Sequence, residues 1–175
     1  MQKIYVGGTD VAVRQYSETH LPGIVSLYRE VFREPPWNLS FKESEVRKDL
    51  KVFLDKPVPH VYVATGPGSE IIGVSAAHEL DLEQFPFLAR VIKTGRSVYG
   101  AAMAIKKEYR ELGIATLFLS CRREYYKNIG YDFIIGRTKN PRMESVYRNL
   151  GYWNTGVCDP IYKDSSYFIL DLKRN

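Results

Sequence analysis

A mixed α/β sheet (α+β in character), mostly antiparallel and covered by helices on both faces, is the architecture this 175-residue sequence predicts. Three observations lead there. "HVYVAT", "GPGSE" and "IIGVSAAHEL" read as two strands joined by a tight Gly-Pro-Gly turn, which makes an antiparallel pair. Residues 99–136 read strand, helix, strand, and a crossover helix joins parallel strands. Amphipathic helical stripes lie between the strands, so the sheet is covered rather than left open to water. The expected order is β-α-α-β-β-loop-β-α-β-α-β, in one domain spanning residues 1–175.

Each element has its own reason. "VAVRQYS" (11–17) alternates apolar and polar residues, as a strand does. From Glu18 to about Phe32, the residues Leu21, Ile24, Leu27, Tyr28 and Val31 fall on one helical stripe. The prolines of "REPPWN" stop that helix, because they cannot continue its ladder. A second helix over 40–55 starts from Ser40 with Glu43 three residues on, the capping-box spacing, and Pro57 and Pro59 end it. Strands 60–65 and 71–80 follow. Residues 81–98 read as a long connection of the kind that serves as a binding or lid element, since Gly95 interrupts any helix. "YGAAMAI" (99–105) is a strand of small residues whose backbone something approaches closely. The helix over 113–130 puts Ile114, Leu117, Phe118, Cys121, Tyr125 and Ile129 on one face, with Gly130 at its C-terminus. "YDFIIGRT" (131–138) is the next strand. "NPRMESVYRNLGYW" is a helix with Asn140 as cap, Pro141 in the first turn and Gly151 beyond its end. "SSYFILDL" (165–172) closes the chain.

Hydrophobic residues make up 45% and charged residues 26%, the balance of a chain that buries a core. No run approaches the 18 apolar residues of a membrane span, and the N-terminus lacks the basic start and apolar block of a secretory signal. Cys121 and Cys158 form neither a disulfide framework nor a CxxC metal site. A cytoplasmic protein with two reduced thiols and no metal is expected. The net charge of +5 is localised: residues 106–148 hold ten basic and five acidic side chains, and the remainder balances at 15 against 15. That segment is either a solvated basic face or one that attracts an anion or a nucleic acid.

The chemistry sits at "YRELGIATLF" (109–118), where an apolar strand gives way to a helix. The first amides of a helix have no intrahelical partner, and with the helix dipole they attract an anion. Gly113 and Ala115 remove side-chain bulk there, so a phosphate can touch the backbone, and Arg110 adds charge beside it. The fit is to a pyrophosphate. The stretch is neither a dinucleotide GxGxxG nor a phosphate loop ending in GK[ST].

"MAIKKEYRELGIATLFL" resembles motif A of the GCN5-related N-acetyltransferases, with the pattern Q/R-x-x-G-x-G/A, and "NPRMESVYRNLGYW" resembles their motif B. The two motifs and the strand between them cover residues 101–153, and the element order matches over nearly the whole chain. Ala115 stands where the family more often has Gly. The resemblance implies a central sheet whose two parallel strands splay apart to hold acetyl-CoA. On this chain pantetheine would bond near Met103, Ala104 and Ile105. The pyrophosphate would meet Arg110, Glu111 and the amides of Leu112, Gly113, Ile114, Ala115 and Thr116, with Asn140 and Tyr147 also at the cofactor. Lys106, Lys107, Arg122, Arg123 and Lys139 are alternatives for the 3′-phosphate.

The implied reaction is direct attack of a primary amine on the thioester within a ternary complex. A free alkyl amine has a pKa of about 10.4, so a general base or a water chain must first deprotonate it. The leaving thiol has a reference pKa of about 8.5 and benefits from a proton donor, for which Tyr147 holds the motif B position. Glu79 is the expected base, with His78 on the opposite face of its strand and Asp159 and Tyr162 as alternatives. Phe32, Trp37 and Phe41 either line the acceptor pocket or pack a proline-rich turn. The acceptor is a small-molecule or protein amine. No membrane and no specific nucleic acid are expected as partners, and the homodimers common in the family are left open by the sequence. A non-catalytic acyl-CoA-binding module and a basic nucleic-acid binder are the alternative readings.

Overall fold

The computed structural model describes residues 2–6, 9–35, 37–92 and 95–174. Eight strands form one sheet: β1 (Gln2–Val6), β2 (Thr9–Gln15), β3 (His60–Thr65), β4 (Ile71–Glu79), β5 (Ser97–Ile105), β6 (Phe133–Thr138), β7 (Trp153–Cys158) and β8 (Ser166–Asp171). Their order across the sheet is β1-β2-β3-β4-β5-β6-β8-β7. The β5–β6 pair is parallel and every other pair is antiparallel. The mixed sheet and its parallel pair are as the sequence predicts. Two strands are additional. β1 pairs with β2, and β7 forms the far edge, where its outward-facing residues give no apolar run to read.

Among the described residues four α-helices cover the sheet: α1 (Leu21–Val31), α2 (Glu43–Leu54), α3 (Ile114–Asn128) and α4 (Pro141–Asn149). Ile24, Leu27 and Val31 of α1 and Val46 and Leu50 of α2 bury against Val61, Val63, Val74 and Ala104 on one face. On the other face Ile114 and Phe118 of α3 pack on Val13, Ala64 and Ile72, while Leu119 and Tyr126 join Tyr147 of α4 over Ile134, Phe168 and Leu170. Burying each of the Val, Leu, Ile and Phe side chains among these contributes about 1.5–3 kcal/mol.

Three local expectations shift. The capping box lies two residues beyond the Ser40–Glu43 pair: the Lys42 N–H donates to Glu45 Oε2 at 2.6 Å. Phe41 turns inward onto Tyr28 and Phe32, which holds this stretch outside the helix. The buried face of α3 is rotated from the predicted stripe, with Leu119, Arg122 and Tyr126 inside and Ile129 exposed, because α4 as well as the sheet packs on it. The first part of the connection, to Ile92, folds down as cover, and Ser97 and Val98 belong to β5. A 3-10 turn over Pro86–Arg90 seats Leu88 with Leu80 and Ile92 on Tyr99, Ile135, Tyr167 and Ile169. Lys93 and Thr94 lie outside the described residues.

Candidate active site

The parallel pair ends early. β5 and β6 are in register from Ser97↔Phe133 to Gly100↔Gly136, and no pairing continues beyond that rung. β4 stays with β5 throughout, across a bulge that leaves Ala101 unopposed. The two strands therefore part, and a gap opens from Ala101 to the end of β5. The Lys106 N–H donates to Ile72 O, so by two-residue alternation Ala104 also turns its backbone toward β4, while Met103 and Ile105 turn theirs to the gap. Ile105 O is taken by Arg110 Nε at 2.9 Å. Of the three predicted pantetheine contacts, Met103 therefore has its backbone freest toward the gap.

Beyond β5 a 3-10 turn over Lys107–Tyr109 leads to Gly113, at φ +85°, and into α3. Glu111 also adopts a left-handed conformation, at φ +65°. Leu117 N–H bonds Gly113 O, and among the described residues no backbone bond outside the helices and strands starts from the amides of Glu111 to Thr116. No acidic side chain stands in the first turn of α3, and a Cβ on Gly113 would enter open space. Unpaired amides, dipole and open approach coincide at the predicted cradle.

The basic residues around it are largely committed. Arg110 Nη1 donates to Glu34 Oε2 at 2.6 Å, so its charge is turned toward the α1–α2 loop rather than held free beside the amides. Lys106 pairs with Glu70 and Glu30, Arg142 with Glu111, and Arg137 with Asp159. Arg122 is 2% exposed and cannot reach a 3′-phosphate, which removes it from that set. Lys139 lies over the Trp37 ring at 5.1 Å, beside the α1–α2 loop. Part of the excess charge read from the sequence is thus taken up by ion pairs and, at Arg122, by the interior, while Lys107 is exposed and Arg123 half-buried.

Tyr147 is 5% exposed on α4, stacked on Phe168 with ring centroids 5.4 Å apart. A Cβ on Gly136 would overlap its hydroxyl, which fixes the phenol over the last rung of the parallel pair. No described residue bonds that hydroxyl. Burial raises the phenol pKa, and Arg122 partly offsets this. Glu79 sits elsewhere. It pairs with Val98, on the closed side of the Gly100 rung, and its Oε2 accepts from Tyr131 Oη at 2.8 Å. This placement does not bring its carboxylate to the gap, a correction to the expected base. His78 turns to the opposite face against Tyr99, as strand alternation requires. Asn140 caps α4, its Oδ1 accepting the Arg142 N–H at 3.0 Å.

Two loops flank the gap on the α1–α2 face. Phe32, Trp37 and Phe41 do come together, with Phe32 5.9 Å from Trp37 and 5.6 Å from Phe41, and Trp37 remains 40% exposed. Between β7 and β8, Tyr162 lies over Arg137 at 4.7 Å, with Ile161 exposed beside it. Asp159 anchors that loop. Its Oδ1 accepts the N–H groups of Ile161 and Tyr162, and its Oδ2 accepts from Arg137 and Tyr167 Oη. Burial pushes its carboxyl up, but these bonds together hold it well below the usual carboxylate range, so it is a poor base. A separate cleft of about 510 Å³, lined by Arg14, His20, Ser26, Glu70 and Lys106, lies beyond the start of α1 and does not include the gap.

The burial of Arg122, expected instead near the 3′-phosphate, and the Gly100–Gly136 rung were not foreseen from the sequence. Arg122 stands one turn from both Phe118 and Tyr126 and is buried with them in the structure.

A strand gap that runs onto free helix amides defines the class of fold. No protein-family model and no curated protein matches the sequence. Solved structures do. A GNAT superfamily phosphinothricin acetyltransferase from Sinorhizobium meliloti, in complex with AcCoA, superposes with a TM-score of 0.73 at 17% identity, over 92% of this chain and 88% of that one. A ribosomal-protein-alanine N-acetyltransferase from Brucella melitensis gives 0.71 at 14% identity, covering 91% and 99%. Arabidopsis thaliana NAA60 with a bisubstrate analogue gives 0.68 at 16%, covering 92% and 97%. The chain has the fold of the GCN5-related N-acetyltransferases.

Proposed function

We propose that this protein is an N-acetyltransferase that moves an acetyl group from acetyl-CoA to a primary amine by direct attack within a ternary complex. The observation that carries this reading is the strand gap at the Gly100–Gly136 rung, open at one end onto the free amides of α3 and holding the Tyr147 hydroxyl at the other. The acetyl-CoA complex of the Sinorhizobium enzyme supports it by fold.

As substrate, acetyl-CoA supplies a thioester whose carbonyl carbon the amine attacks, with cleavage of the carbon–sulfur bond. The amides from Leu112 to Thr116 hold the diphosphate, and Lys107 or Arg123 reaches the 3′-phosphate. Backbone N–H groups on β5 facing the gap stabilise the developing oxyanion. Tyr147 donates its proton to the leaving sulfur. The acceptor enters between the loop carrying Trp37 and the loop carrying Tyr162. Its ammonium proton passes to water on that open face, since Glu79 is bonded to Tyr131.

The Arg110–Glu34 pair joins the cradle to the acceptor loop. Glu34→Gln is expected to free Arg110 for the diphosphate and tighten coenzyme A binding about two- to fivefold at low salt, an advantage that fades at high salt. Calorimetric titration at two ionic strengths checks this.

A thiol-release assay with acetyl-CoA and a panel of amines tests the reaction. Amine-dependent release of coenzyme A is the expected result. Tight coenzyme A binding without release for any amine contradicts catalysis and favours a binding module.

A further inference from the structure

The last rung of the parallel pair is glycine on both strands, Gly100 opposite Gly136. The reason lies on the α3–α4 face. A Cβ on Gly100 would overlap Arg122 Nη1, and one on Gly136 would overlap Tyr147 Oη. Paired strands lie about 4.8 Å apart, so the guanidinium and the phenol lie over neighbouring strands on one face, at the rung where those strands part, and the charge of Arg122 is felt at the phenol.

Arg122 is an expensive residue to keep there. Its Nη2 donates to Ser75 Oγ at 2.6 Å and to Ala76 O at 3.3 Å, both neutral, and its Nε is buried without a partner. Among the described residues no carboxylate pairs with it. His60 nearby does not change the local charge: burial first, and Arg122 second, pull its pKa down to about 3, so the ring is neutral. An uncompensated buried cation disfavours the folded state, and an apolar side chain of similar volume serves packing better.

We infer that Arg122 is a positioning residue of the proposed transfer, its buried charge stabilising the phenolate that Tyr147 becomes when it gives up its proton. The inference rests on the acetyltransferase reading. In the step, the carbon–sulfur bond breaks and sulfur takes the electron pair. The Tyr147 O–H proton moves to sulfur, leaving a tyrosinate beside the Arg122 guanidinium. The proton lost by the attacking amine returns to that oxygen through water. Among the described residues, Arg122 from α3 and Tyr99, on the opposite face of β5, act on Tyr147 through their charge, Tyr152 after α4 packs on its ring, and of these three Arg122 is the cation.

The test compares Arg122→Lys, Arg122→Gln and Arg122→Met, alone and with Tyr147→Phe. The neutral variants are expected to lose about tenfold to a hundredfold in kcat with KM for acetyl-CoA within about threefold. Their thermal midpoint should hold or rise, since a buried charge is removed, whereas a purely structural arginine would lower it. Arg122→Lys should retain most of kcat. In the Tyr147→Phe background, Arg122→Gln should cost nothing further. A readout free of turnover uses a fluorinated tyrosine of lowered intrinsic pKa at position 147. Its apparent pKa, followed by absorbance, should rise by about one unit in Arg122→Gln and little in Arg122→Lys. An unchanged phenol pKa, full kcat in the neutral variants, or additive losses in the double variant overturns the inference. If no amine releases coenzyme A from the unmodified protein, the functional reading fails, and the phenol titration still decides whether Arg122 acts on Tyr147.

Discussion

Tyr147→Phe is expected to lower kcat about 10²-fold while KM for acetyl-CoA stays within about twofold. The phenol ring is held by Phe168 and Tyr152, at centroid distances of 5.4 and 4.9 Å, and Phe fills the same space. The hydroxyl bonds no described residue, so its loss should leave the thermal midpoint nearly unchanged. What disappears is the proton for the departing thiolate. Saturation kinetics with both substrates checks the split, and turnover equal to that of the unmodified protein would remove Tyr147 from the chemistry.

Asp159→Ala is expected to cost about 3 kcal/mol of folding stability, because it leaves a half-buried guanidinium and three other donors without their acceptor. At this chain length that corresponds to a fall of about 6–12 °C in thermal midpoint. The contribution also depends on pH. A carboxyl depressed in the folded state stabilises fully above its unfolded pKa, about 3.9, and the benefit is lost as pH falls through the folded value. The unmodified protein should therefore lose stability faster than Asp159→Ala as pH falls below about 4. The same anchor holds the loop with Ile161 and Tyr162, so KM for the amine should rise more than KM for acetyl-CoA. Denaturant titrations at neutral and acid pH, with kinetics at neutral pH, read both effects. Equal acid sensitivity in the two proteins would contradict the role given to Asp159.

The cradle was legible because it is local: Gly113, Ala115 and the strand-to-helix switch lie within a dozen residues. Helix α4 was legible for the same reason, from Asn140 to Gly151. The parallel pair followed from one helical crossover. Strand β7 was not legible, since an edge strand with exposed side chains carries no apolar alternation. The misplacement of Glu79 came from counting faces without knowing where β5 and β6 part. The fate of Arg110 was set by Glu34, 76 residues away, and sequence proximity could not show that partner. Arg122 was expected among the residues able to reach the 3′-phosphate because charge suggests exposure, and the rotation of α3 that buries it with Tyr126 depends on α4, which the sequence spacing alone does not show.

Mapping coenzyme A onto the ¹⁵N-amide spectrum of the protein tests the central claim most directly. The expected result is saturable shifts concentrated at Leu112 to Thr116, with a second group at Met103 and Ile105. Saturable shifts confined to the cleft lined by Arg14 and Lys106, or none at all, would contradict it.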